Sequence, residues 1–241
     1  ASDDVVYPVA IITGLDVTSH LKEGYAGMYY AFNRDLTREG FILRLLGTVG
    51  NYNYQAITGK IDSDYWQGDA MLGYQWVRGG IDVGVYVGID YQNYKLSPDD
   101  PTNRLRGNDT GVKALVEIET NDQWKSPLYF ALRASYSTAF DDYYALGRIG
   151  YNTGRVTIGP EVWFLGDVEG HSHRIGGFLK FDLPTRDLAA AELALSAGYQ
   201  SSDDSKSSHH GGINSDDGFY ATAKVIIAVG EKGRGSYEPL K

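Results

Sequence analysis

The stretch Ile81–Tyr91 alternates with a period of two over eleven residues. Its odd positions are Ile81, Val83, Val85, Val87, Ile89 and Tyr91, and its even positions are Asp82, Gly84, Tyr86, Gly88 and Asp90. Strands of soluble proteins usually run about 5–6 residues. A strand of ~9–11 residues, apolar on one side and polar on the other, is the unit of a transmembrane β-barrel. Carboxylates such as Asp82 and Asp90 cannot face acyl chains, so that side must look into a wet interior. The chain has no run of apolar residues long enough for a membrane helix, but a closed barrel also satisfies its backbone internally.

Composition agrees with long, aromatic-rich strands: the 241 residues include 30 glycines and 19 tyrosines but only two methionines. The absence of cysteine removes disulfides and thiolate metal sites. A net charge of −9 argues against a nucleic-acid surface, which needs basic patches. The start, Ala1-Ser-Asp-Asp, has no charged-then-apolar leader and reads as the end left by signal cleavage.

Strands are expected near 9–18, 23–33, 40–54, 64–78, 80–95, 109–120, 127–138, 143–152, 155–166, 174–184, 188–200 and 218–229. Several repeat the opening pattern. Leu128, Phe130, Leu132, Ala134 and Tyr136 alternate with Arg133, Ser135 and Ser137. Connections alternate too. Short turns such as Gly79 and Thr153-Gly154 contrast with expected longer polar loops at 55–63, 96–108, 167–173 and 201–217. Short turns on one rim and long loops on the other are the habit of outer-membrane barrels, and an even strand count puts both termini on the short-turn, periplasmic side. Tyr91, Tyr136, Phe164, Tyr199 and Phe219 fall toward the long-loop rim, and Trp76, Tyr151 and Phe181 toward the other, as two headgroup belts would. The reading is all-β: one closed antiparallel transmembrane β-barrel of about twelve strands over residues 1–229, with 230–241 as a periplasmic tail. A soluble sandwich or lipocalin-like barrel, with the apolar face as core, is the competing fold. Strand length and the number of charges on the other face weigh against it.

Short segments in a fixed order resemble a known family. They include Tyr25-Ala-Gly27, Asp35-Leu-Thr-Arg-Glu-Gly-Phe41, Ala70-Met-Leu-Gly-Tyr-Gln-Trp-Val77 and Tyr94-Lys-Leu-Ser-Pro-Asp-Asp-Pro101 with Arg106-Gly107. Ser135-Tyr-Ser-Thr-Ala-Phe-Asp141, Ile158-Gly-Pro-Glu161, Phe164-Leu-Gly166 and Gly176-Gly-Phe178 continue the set. Over residues 12–229 the chain is similar to the cellulose biosynthesis protein BcsS family of alphaproteobacteria. That resemblance implies an outer-membrane protein linked to cellulose or exopolysaccharide production, with no enzymatic residues to carry over. The loop 201–217 and the tail lie outside it.

The interior wall is the first place to look for function. Its expected cations are Arg44, Lys113, Arg133, Arg148, Arg155, Lys180 and Lys224. Its expected carboxylates are Asp16, Asp69, Asp82, Asp90, Glu117, Glu119, Glu161, Asp182 and Glu192. Two readings follow. In a narrow twelve-strand lumen opposite charges pair and plug the barrel. Alternatively they leave a thin channel for a sugar or small ion, with Tyr86 and Trp163 meeting ring faces. The five histidines, His20, His171, His173, His209 and His210, are expected in loops. Asp167-Val-Glu-Gly-His-Ser-His173 offers metal-type donors but nothing that enforces a coordination geometry. Ser137 with His171 or His173 is the one pairing that suits rim hydrolysis, and a small polar lumen residue is the simpler reading of Ser137. Acidic pairs such as Asp99-Asp100 and Asp141-Asp142 suit either calcium or a solvated rim. No catalytic residue, metal or cofactor is expected. Expected partners are outer-membrane lipid and either glucan or secretion-complex proteins.

Overall fold

A computed structural model describes residues 5–56, 59–121, 123–185, 189–202 and 217–232. The polypeptide forms twelve strands. They are β1 (Val5–Thr18), β2 (Leu21–Ala31), β3 (Gly40–Ala56), β4 (Gly59–Arg78), β5 (Ile81–Ser97) and β6 (Gly107–Thr120). The second half holds β7 (Leu128–Ser137), β8 (Tyr143–Asn152), β9 (Val156–Gly166), β10 (His171–Leu183), β11 (Ala189–Ser202) and β12 (Gly218–Lys232). Each pairs antiparallel with its sequence neighbours, and β1 pairs with β12 to close the cylinder. Closure removes every free edge, so the backbone is satisfied within the wall.

Alternation decides which side chains go where. Ile89 is 64% exposed while its neighbour Asp90 is 1% exposed. Val85, Val87, Leu72, Val112, Ile149 and Ile175 stand outward like Ile89 and form the lipid-facing band. Aromatic residues edge that band. Trp66 and Tyr91 touch at 4.8 Å, as do Tyr199 and Phe219 at 5.7 Å, toward the rim far from the termini. Phe41 packs on Tyr74 at 5.1 Å toward the terminal rim.

Interior glycines are slots for tyrosine rings. The Tyr86 ring lies over Gly73 and Gly84, and a methyl group on Gly84 would come within 2.7 Å of it. The Tyr220 ring is seated in the same way on Gly176 and Gly198. These close approaches join the glycine content to the tyrosine content.

Four expectations need correction. The 55–63 segment is mostly strand, not loop: β3 and β4 stay paired to Ala56↔Gly59. Its outward residues Gln55, Lys60 and Asp62 are polar because the wall there stands above the hydrocarbon in water, and polarity masked the strand. For the same reason 167–173 contracts to a turn at 167–170, and His171 and His173 are β10 residues rather than loop residues. Arg155 is exposed in the 153–155 turn, where its carbonyl accepts from the Asp182 N–H at 3.1 Å, and so is not on the inner wall. Finally, β12 passes residue 229: Val6 pairs with Glu231, whose carboxylate takes Arg34 at 2.6 Å. The barrel therefore includes Gly230–Lys232. The rest of the expected tail, like His209, His210 and most of the 201–217 loop, lies outside the described residues.

The lipid-facing assignment predicts a depth-dependent cost. Val87→Arg, mid-band, should destabilise the barrel by about 2–4 kcal/mol, and Asp64→Arg, above the band, by about 0–1 kcal/mol. Denaturant titration of protein folded into phospholipid bilayers measures both.

Candidate functional site

The inward side chains form connected ion-pair clusters. On the β3–β6 wall, Asp69 and Asp90 are directly opposed across adjacent strands, an arrangement that repels when unscreened. Lys113 lies between them, 3.3 Å from Asp69 and 3.6 Å from Asp90. The Arg44 guanidinium adds a contact to Asp69 at 2.5 Å. Ser137 and Gln92 donate to the other Asp90 oxygen at 2.6 and 2.8 Å. Ser137 is fully buried and its hydroxyl also accepts from the Ala139 N–H at 3.1 Å. Its hydroxyl proton is therefore committed to a carboxylate.

A second cluster centres on Glu161, which is 3% exposed. It accepts from Arg148 (2.7 Å), Ser196 (3.0 Å), Trp163 Nε1 (2.9 Å) and Tyr220 (2.8 Å). Four donors from four strands hold one carboxylate, which makes a rigid inner joint. Arg174, 1% exposed, pairs with Asp16 at 2.6 Å and donates to Gln200 at 2.7 Å. Its guanidinium also lies 5.0 Å from the Tyr220 ring centroid.

Toward the terminal rim the pairs cross the lumen. Lys180 of β10 reaches Glu119 of β6 at 2.8 Å and Glu192 of β11 at 2.9 Å. Tyr29 of β2 donates to Glu117 of β6 at 3.1 Å, and Glu117 takes Arg133 at 2.7 Å. Asp82 accepts from Asn121 at 2.6 Å. Tyr86 packs with Met71, Ile42 and Leu115 in an apolar knot that includes Tyr29.

Toward the far mouth the inward groups are aromatic and form a cap over the tall wall. Tyr52, Tyr54, Tyr65 and Tyr94 turn inward from the tall β3–β5 wall and cluster with Leu21 and Ile61. The loop 98–106 folds into this cluster: Leu105 is fully buried within it. Tyr54 donates to Asp100 at 2.9 Å and accepts from Asn103 at 2.9 Å. The Arg104 N–H donates to Glu169 at 2.7 Å, tying this loop to the 167–170 turn. Phe140, from the 138–142 loop, meets Tyr94 edge-on at 5.3 Å.

Between cap and terminal-rim pairs lies a cavity of about 200 Å³. Charged groups, Trp163, Tyr144 and aliphatic side chains line it. Lys224 is on its wall, and among the described residues no carboxylate lies within ion-pair distance of it. Among the described residues, no three His, Asp or Glu side chains converge as metal ligands.

Sequence reasoning listed most of these groups, Gln200 on the inward side of strand eleven among them, but missed Arg174, Glu23, Tyr29 and Gln92. Parity was the available signal. Arg174 shares the side of Lys180 and Asp182, and Glu23 is opposed to inward Asp16. Glu23 accepts from Tyr65 in a very short hydrogen bond.

Two mouth carboxyls are shifted. Burial pushes Asp142 up to about 6, against the pull of Lys113 and helped by the negative Asp90 and Asp69. Burial likewise pushes Asp167 up to about 7, partly offset by the N–H groups of Glu169 and Gly170. Both are raised, so the closed mouth carries no penalty while they are neutral. The penalty grows as pH rises from the ordinary carboxylate value of 3.8 and is complete above about 7.

Protection factors of the 98–106 and 167–170 amides, which take out the intrinsic rise of exchange with pH, should therefore be higher near the ordinary carboxylate value of 3.8 than above the Asp167 value of about 7. Asp167→Asn should shrink that difference. Separately, Lys113→Met leaves two facing carboxylates and should cost about 3–5 kcal/mol. Adding Asp69→Asn and Asp90→Asn should recover much of it, as read by denaturant titration.

Solved structures with the same architecture are only distantly related in sequence. The transport unit of the autotransporter AIDA-I from Escherichia coli superposes with a TM-score of 0.50 at 10% identity, covering 92% of this chain and 89% of that one. A TodX mutant described as a monoaromatic hydrocarbon channel gives 0.50 at 7% identity, covering 94% and 91%. A structure described as KdgM porin gives 0.44 at 10% identity, covering 91% and 98%. At this identity the two structures at 0.50 speak for the barrel fold alone. A comparison with curated protein sequences gave no match. The sequence pattern of the cellulose biosynthesis protein BcsS family, by contrast, matches residues 10–229, from the middle of β1 to near the end of β12, and the chain belongs to that family.

Proposed function

We propose that this chain is a non-enzymatic outer-membrane barrel that serves cellulose production with its lumen closed at rest. Family membership supports the link to cellulose, and the lipid-facing band with two aromatic edges supports the membrane. In this orientation the termini lie in the periplasm and the tyrosine cap faces outward. One observation supports the closed state: pairs such as Lys180–Glu119 cross the lumen toward one end, and the loop 98–106 packs into the aromatic cluster at the other. A glucan chain cannot thread such a barrel without displacing both. Its contribution to cellulose is therefore contact with the polymer or its machinery rather than passive conduction.

A second reading has its own support. The wall formed by β3, β4 and β5 stands higher than the rest, with β4 20 residues long against ten for β7. Its outer face is polar and offers a docking surface for a partner protein at the cell exterior.

Purified barrel in planar bilayers should show little or no conductance, and large stable single-channel currents would overturn the closed-lumen reading. Deleting the gene in a cellulose-producing host should abolish extracellular cellulose while leaving other surface structures in place. Normal cellulose in the deletion strain would remove the cellulose role.

A further inference from the structure

The central cavity is not used by either reading of the barrel. Its volume of about 200 Å³ equals roughly six to seven waters at ~30 Å³ each. That is also the scale of one six-membered sugar ring. The aromatic cap and the crossing pairs flank it, and its volume suits a single small unit rather than a passing chain.

The wall chemistry narrows the class. Four carboxylates, Asp16 and Asp142 among them, and six cations line the same space, and all of those cations but Lys224 stand in ion pairs. An anion would be repelled by one set and a cation by the other. A neutral polyol is repelled by neither, because each hydroxyl both donates to a carboxylate and accepts from a guanidinium or ammonium. Lys224 brings three donors with no carboxylate at ion-pair distance among the described residues. Trp163 and Tyr144, with ring centroids 6.5 Å apart, add aromatic surface for the C–H face of a ring. The Trp163 side chain is held in place by its Nε1 bond to Glu161 at 2.9 Å.

We propose that this cavity is a saccharide-binding site for one neutral pyranose unit, with Trp163 and Tyr144 against the ring and the Asp16–Arg174 pair and Lys224 against its hydroxyls. The choice of glucose, free or as a chain end, rests on the cellulose reading above. The ligand reaches the site from the far mouth, where the 138–142 loop contributes Asp142 to the cavity wall and the 98–106 loop forms the lid.

Calorimetric titration of the whole detergent-solubilised barrel tests this, with glucose as ligand and glycerol, gluconate and glucosamine as comparison solutes. Saturable binding of glucose in preference to all three is expected. Lys224→Met should weaken it about tenfold, the loss of a charged hydrogen bond. Leu146→Trp, which fills the cavity from β8, should abolish it. Circular dichroism and gel-mobility heat shifts show that each variant still forms the barrel, and Lys224→Met is the milder change if Leu146→Trp does not fold. No saturable glucose binding, equal response to every solute, or full binding by folded Leu146→Trp would each overturn the site. Cellulose output of the deletion strain separates the two claims. Lost cellulose without glucose binding overturns the site and leaves the cellulose role standing. Glucose binding with normal cellulose supports the site and removes that role.

Discussion

An ionised side chain cannot be solvated by hydrocarbon. In a closed wall with a two-residue period, that constraint sends every charged strand residue at membrane depth to one side. The lumen then holds carboxylates and cations at a density water alone would not screen. The structure resolves this by neutralisation in place. Lys113 separates opposed Asp69 and Asp90, and Glu161 gathers four donors. Breaking such a pair leaves a buried charge, which costs far more than the pair itself contributes. The interior is thus electrostatically stiff.

The same constraint changes sign above the membrane. Where β3, β4 and β5 rise past Trp66, the outside of the wall is water and the inside is the shelter. Tyr52, Tyr54, Tyr65 and Tyr94 turn inward there, and Asn53, Asp62 and Lys95 turn outward. One strand therefore carries two opposite patterns end to end, apolar-out and then apolar-in. The inverted portion supplies a small conventional core at the mouth, and Leu105 of the 98–106 loop completes it. The membrane barrel ends in a lid built by the rules of a soluble protein.

These two regimes give the two ends of the lumen different contacts. Toward the terminal rim they are charge pairs across the lumen. At the mouth they are aromatic packing plus the Asp142 and Asp167 carboxyls, which are best tolerated neutral. Asp142 sits in a mouth loop and faces the Asp69–Lys113–Asp90 group.

Much of this was legible in the chain itself. The period at Ile81–Tyr91 requires a strand with one lipid face and one wet face, and its recurrence requires closure. From parity follow the inward positions of Arg44, Asp69, Lys113, Glu161 and Lys180. The ordered motifs carry the family resemblance. Other features were settled only by the tertiary structure. The 55–63 segment looked like a loop because the sequence does not say at what height the solvent outside changes from acyl chain to water. Glu23 became visible as an interior group only through the register that opposes it to Asp16. Which cation meets which carboxylate, and so whether a lumen is open or shut, depends on strands far apart in sequence, as Lys180 and Glu119 are. Local alternation determines the side a residue faces; only closure of the cylinder decides what it faces there.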